Sequence, residues 1–190
     1  KGGLLRSATD VFFFEGRLGI LSDESMVLSE VNRFFNFFRT TVFDLIDSDP
    51  ILASASHTEV AKLNDAFVMD ERLLLTSDRN QFVAEGDPIL TPKTVSLTPK
   101  MSQQTERDVP LVASGRGAFM VFPKQGLKDG PVEYSGVREV RPVQTSGLEF
   151  QAEDISDAVP SLIEGRVREQ ASSTNLDLLI VVTENGKLYP

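Results

Sequence analysis

A single histidine, His57, sits in Ser54-Ala55-Ser56-His57-Thr58-Glu59, and any serine-type proton relay in this chain would have to run through it. No G-x-S-x-G elbow is present and no aspartate is tied to His57 by spacing, so it reads as a histidine of a surface loop. One histidine and no cysteine leave no ordinary zinc set and no thiolate nucleophile. Asp44, Asp47 and Asp49 gather ahead of Pro50, a spacing that oxygen-loving calcium can use. The glycine and distal glutamate of an EF-hand loop are missing, which favours a cap-and-turn role before the next strand. The 28 acidic residues permit many carboxylate pairs, but their separation is invisible in sequence and such pairs carry no specificity for glycoside hydrolysis. Gly115-Arg116-Gly117 fails the dinucleotide pattern and no Walker-type run occurs. No catalytic, cofactor-binding or metal-binding residue is assigned.

What remains is hydrophobic. Phe34, Phe35, Phe37 and Phe38 flank Asn36, the one unusual apolar concentration in the chain. In an extended strand, alternate side chains point to opposite faces, so both faces of such a run need cover. Two covers are available: packing within a stack of sheets, or contact with a neighbouring subunit, where aromatics are enriched.

The elements that must position these residues are mainly β. Residues 11–14 pair with 17–21 across Glu15-Gly16, and Ser22-Asp23-Glu24-Ser25 turns the chain into 26–29. Residues 73–76 and 81–84 flank the polar connection Ser77-Asp78-Arg79-Asn80, a second hairpin. Residues 94–98 alternate between Pro92 and Pro99, which points to an edge strand or a strand end. Residues 118–122 pair with 137–140 around a loop spanning 123–131. The last hairpin joins 178–183 to 188–189 through Glu184-Asn185-Gly186-Lys187, with the Asn-Gly turn signal. Short helical turns are expected at 153–158 and 161–164, interrupted by Pro160. The run 31–46 is apolar nearly all round, but its β-branched and aromatic content favours extended structure. The polar run 101–107 reads as an exposed loop, and 108–112 and 145–147 as connections.

The hairpins centre on Phe12, Leu73, Phe119 and Leu178, roughly every 45 to 60 residues, near the period of propeller blades. The expectation is an antiparallel, partial or irregular β-propeller-like domain of hairpin units with few short helices. It occupies 1–190 without a visible internal boundary and reads as a fragment of a larger protein.

Composition sets the outer limits. With 190 residues, 41% hydrophobic and 25% charged, and a mean hydropathy of -0.10, the chain has the make-up of a globular protein. Its longest apolar runs are far too short to cross a bilayer as a helix, so no membrane insertion by this region is expected. The net charge of -9 disfavours a surface built to grip phosphate backbones.

The order Glu15-Gly16-Arg17-Leu18-Gly19-Ile20-Leu21, Val27-Leu28-Ser29-Glu30 and Arg33-Phe34-Phe35-Asn36-Phe37-Phe38-Arg39-Thr40-Thr41 resembles the opening of the propeller-like region of the tail tubular protein B family, the nozzle proteins of short-tailed bacteriophages. Ser48-Asp49-Pro50-Ile51 looks like that family's recurring turn after the aromatic knot. Leu73-Leu74-Leu75-Thr76-Ser77-Asp78-Arg79-Asn80-Gln81-Phe82-Val83 with Leu90-Thr91-Pro92-Lys93-Thr94-Val95-Ser96 looks like its second unit. Ser135-Gly136-Val137-Arg138-Glu139 looks like the close of the third, and Ala152-Glu153-Asp154-Ile155-Ser156 with Val159-Pro160 like the turn that follows. Phe38 stands where the family often carries tryptophan, which this chain lacks.

The resemblance implies a structural, non-enzymatic subunit of a ring, commonly six-fold, in the virion tail, assembled in the host cytoplasm. Identical subunits, the tail adaptor protein and tail fibres or spikes would be its partners, and DNA only transiting cargo. An acidic channel wall would repel that DNA over about 8 Å at physiological salt. The alternatives are a virion-associated carbohydrate-binding or polysaccharide-degrading β domain, and a general propeller interaction module.

Overall fold

The computed structural model describes residues 7–39, 44–55, 60–87, 89–129, 132–144 and 148–190. His57 lies outside them. Backbone contacts divide the chain into two compact units, 1–102 and 103–190.

The first unit holds two four-stranded antiparallel sheets. In chain order these are β1 (Asp10–Phe14), β2 (Arg17–Ser22), β3 (Ser25–Leu28) and β4 (Ile51–Ser54), then β5 (Leu63–Met69), β6 (Arg72–Ser77), β7 (Gln81–Glu85) and β8 (Ser96–Met101). Each sheet is a meander in which sequential strands are neighbours. Alternation along β1 turns Phe12 and Phe14 inward and leaves Val11 and Phe13 in solvent. The inward residues of both sheets form one core, including Phe12, Leu21, Met26, Leu28 and Ile51 from the first and Leu63, Leu73, Leu75 and Phe82 from the second.

The second unit holds β9 (Val112–Ser114), β10 (Gly117–Asp129), β11 (Val132–Gln144), β12 (Leu148–Asp154) and β13 (Ile163–Glu164), followed by β14 (Val167–Ser173), β15 (Leu178–Thr183) and β16 (Leu188–Tyr189). Its larger sheet runs β12-β11-β10-β9 with β13 also on β11, and its smaller runs β14-β15-β16. Val109, Val121, Val137, Ile163, Val167 and Val181 make its core. Arg138 lies 3.5 Å from the centroid of the Phe122 ring and donates to the Gln104 carbonyl at 3.1 Å. Burial lowers its pKa from the ordinary arginine value. Arg166 donates from Nε to Glu106 at 2.8 Å and from Nη2 to Asp108 at 3.0 Å, fastening the entry segment of this unit to β14.

The four sheets are the four expected hairpin units: Phe12, Leu73, Phe119 and Leu178 each fall in a different one. The fold is mainly β, antiparallel and propeller-like in being built of small blade sheets. The expected edge position of the Pro-flanked strand holds, since β8 ends its sheet and carries Pro99 opposite Phe82.

Three details differ. Among the described residues there is no helix: 153–154 finish β12, 155–162 are turns and bends, and β13 follows. Asp154 Oδ1 accepts from both the backbone N–H (2.9 Å) and the hydroxyl (2.7 Å) of Ser156, a local bond that competes with helix formation. The loop expected over 123–131 is largely strand, because β10 and β11 run on past the core, with Pro123 opposite Ser135. The segment after Met101 is not a free loop either: Thr105, Val109 and Leu111 are buried.

Two of the sheets, one in each unit, use the same packing device. Phe12 faces Gly19 across β1 and β2, and Phe122 faces Gly136 across β10 and β11, each ring lying over the glycine backbone. A Cβ on Gly19 would stand 2.3 Å from the Phe12 ring. Gly19→Ala is therefore expected to lower unfolding free energy by about 1–3 kcal/mol, as overpacked sites do. Urea denaturation monitored on this region measures it, and an unchanged midpoint would contradict the ring-over-glycine packing.

Candidate interaction surface

Strands β3 and β4 are adjacent in the sheet, yet 22 residues, 29–50, separate them in sequence. That excursion carries all four phenylalanines singled out from the sequence. Its described residues, 29–39 and 44–50, form no strand: Glu30 and Arg33 form an isolated bridge, and turns follow, while 40–43 of the run expected to be extended lie outside the described residues. The two-faced cover that a strand would need therefore does not apply.

The excursion is pinned from below. Arg17, at the start of β2, is only 2% exposed. Its Nη1 donates to the carbonyls of Ser29 (2.7 Å), Asp49 (2.7 Å) and, more weakly, Ser48 (3.3 Å), and its Nη2 donates to Asp47 (2.7 Å). One guanidinium fork thus gathers both ends of the excursion. Burial lowers its pKa, with Glu15, Asp49 and Glu30 opposing the shift through their charges. The group stays cationic, because an arginine starts far above neutral pH.

Further bonds set the shape above this base. Val31 N–H donates to Ser48 O at 3.1 Å, and Asn32 N–H to Gly16 O at 2.8 Å, tying the excursion to the β1–β2 turn. Asn32 itself is held at φ 59°, a left-handed conformation that asparagine tolerates better than most residues. Glu30 N–H donates to Asn36 O at 2.9 Å, while the Asn36 amide donates to the Glu30 carboxylate. The Asn36 side-chain oxygen accepts from Phe38 N–H at 3.2 Å. Asn36 is thus the polar keystone among the phenylalanines. Asp49, itself buried, accepts from Ile46 N–H at 3.1 Å, the cap-and-turn role expected of it.

On this base the aromatics face outward. Phe35 is 91% exposed and Phe38 78%, Phe34 is 40% exposed, and Phe37 is half-buried. Phe34 meets Phe13 of β1 edge to face, with ring centroids 5.4 Å apart at 87°. Phe13 is a member of this surface that was not singled out from the sequence, although alternation from buried Phe12 and Phe14 marks it as outward-pointing. Among the described residues, Phe35 and Phe38 do not pack within the sheets. A rigidly held loop that offers large apolar side chains to water has the form of a contact surface.

Comparison with known proteins comes to the same region of the protein world. A family model described as "Bacteriophage nozzle protein" matches residues 6–189. The chain is also 32% identical over 161 residues to the tail tubular protein gp12 of Escherichia phage T7. That alignment covers 85% of this chain and 19% of the relative, so the chain spans about a fifth of the relative's length. Neither match favours a polysaccharide-directed domain.

Proposed function

The chain belongs to the bacteriophage nozzle protein family, and from that premise we propose that it is the propeller-like part of a structural, non-enzymatic subunit of a phage tail nozzle. Identical subunits assemble into a ring, six-fold by the family resemblance, whose channel lies below the tail adaptor and carries the genome out. The adaptor and the tail fibres or spikes are its other partners, and DNA passes as cargo. The subunit is made in the host cytoplasm and ends in the virion tail.

The observation that carries this reading is the family match running from residue 6 to 189, across all four blade sheets. The net charge of -9 supports it, since a wall of surplus carboxylates does not hold passing phosphates. The exposed aromatics of the 29–50 excursion supply an adhesive surface, and Phe34, Phe35 and Phe38, with Phe37 half-buried behind them, are its subunit-contact residues.

Native mass spectrometry of the full-length protein, alone and with its adaptor ring, tests the reading. A discrete closed oligomer whose formation or docking depends on the adaptor is the expected result. A monomer that stays monomeric beside the adaptor would overturn it.

A further inference from the structure

A closed ring needs two different patches on each subunit, because each copy presents one face forward and another backward. Two segments of this chain have the complementary chemistry. The first is the aromatic loop: residues 31–39 contain Arg33 and Arg39 and no acidic residue, and Phe34, Phe35 and Phe38 are exposed beside them. Among the described residues Arg33 makes a 3.6 Å pair with Glu30, its side chain 67% exposed.

The second is the turn segment after β12. Residues 149–165, from β12 through this turn, contain no lysine or arginine, but five carboxylates: Glu149, Glu153, Asp154, Asp157 and Glu164. Within it Ile155, Val159 and Leu162 stand exposed, and 157–162 face solvent without a break. Asp154 pairs with Lys124, Glu164 with Lys187, and Glu153 lies in the field of Arg141, which leaves Asp157 as the surplus carboxylate beside the apolar trio. This segment is also fixed in shape. Ile155 N–H donates to Val137 O, Val159 N–H to Ser156 O and Leu162 N–H to Val159 O, while buried Ile163 anchors its far end.

We propose that the 33–39 aromatic loop of one subunit docks on the 155–162 turn of the next copy of this chain. Phe35 and Phe38 cover Val159 and Leu162, and Arg39 faces Asp157. Self-pairing of either patch about a two-fold axis would set like charges opposite one another, which disfavours a closed dimer and leaves head-to-tail addition. The charge pattern also selects the occupant. Duplex DNA is repelled by the acidic turn, whereas a second copy matches both patches at once. The inference rests on the ring reading above and names the surfaces that make the ring.

Cross-linking of the full-length protein tests it, helped by the absence of cysteine from this stretch. Phe35→Cys and Leu162→Cys are made singly and together; both side chains are exposed, so folding is spared. Oxidation of the double variant should give a ladder of covalent oligomers on a denaturing gel, with no ladder from either single variant. A second measurement avoids oxidation: Asp157→Arg should weaken assembly about tenfold, and adding Arg39→Glu should restore most of it. A ring by native mass without the ladder, or covalent dimers from Phe35→Cys alone, would overturn the pairing while leaving the ring reading intact. Absence of any ring in the unmodified protein would overturn both.

Discussion

Replacing Arg17 with methionine should destabilise the first unit by about 3 kcal/mol or more, since each buried carbonyl left without a donor costs roughly 1–3 kcal/mol. Three carbonyls, those of Ser29, Asp47 and Asp49, lose bonds of 2.7 Å, and the replacement side chain offers none. Methionine keeps most of the volume, so the loss reads the hydrogen bonds rather than a cavity. Arg17→Lys should recover only part of it, because an ammonium cannot span the two sides of the excursion as the planar fork does. The measurement is urea unfolding together with limited proteolysis. Cleavage within 29–50 should appear before global unfolding, as the excursion loses its base while the hydrogen-bonded strands persist. Equal stability of Arg17→Met and the parent would show that water serves those carbonyls as well as the guanidinium does.

The opposite signature is expected from Phe35→Ala combined with Phe38→Ala. Both rings lie mostly in solvent, so their removal should leave unfolding free energy within about 0.5 kcal/mol of the parent. Subunit association should instead weaken by roughly 30-fold, equivalent to about 2 kcal/mol, as truncation of buried aromatic anchors does at interfaces. Sedimentation of the full-length protein over a concentration range reads this directly. Unchanged association with unchanged stability would remove these residues from the interface. Comparison with Arg17→Met then separates two roles, the subunit contact proposed for the phenylalanines and the holding of their loop by Arg17. Preorganisation of this kind lowers the ordering cost of binding, which gives a physical reason for burying a charged group under a surface loop.

Much of the architecture follows from local chemistry. Glu15-Gly16 and the Asn185-Gly186 turn lie where the hairpins reverse, with both glycines at positive φ, the conformation glycine adopts most readily. Alternation along 11–14 fixed which phenylalanines of β1 face the core. The pairing of 118–122 with 137–140 is present in register, Ala118 opposite Val140. Other elements carry no such local mark. The β5–β6 hairpin turns on Asp70-Glu71, both at positive φ, where glycine or asparagine would be the usual signal. Strands β12 and β14 are polar and carry no strand signal of their own, because each holds its place by pairing with a neighbour rather than by burying a continuous apolar face.

The composition of the aromatic loop was legible in the sequence, and its exposure was not. Four phenylalanines around Asn36 are as compatible with a core as with a contact surface, since hydrophobicity states what a side chain prefers and not whether the fold supplies it. Tertiary structure decided the matter through an arginine thirty residues upstream of the carbonyls it collects. That link joins Arg17 to residues 47–49, and no local periodicity encodes it, because a buried guanidinium is recognisable only once the backbone oxygens that surround it are in place. Sequence by itself therefore determined the alternating core strands, the glycine-marked turns and the family, all governed by short-range pattern. The outward face of the loop and the clamp beneath it were set by long-range closure of the fold.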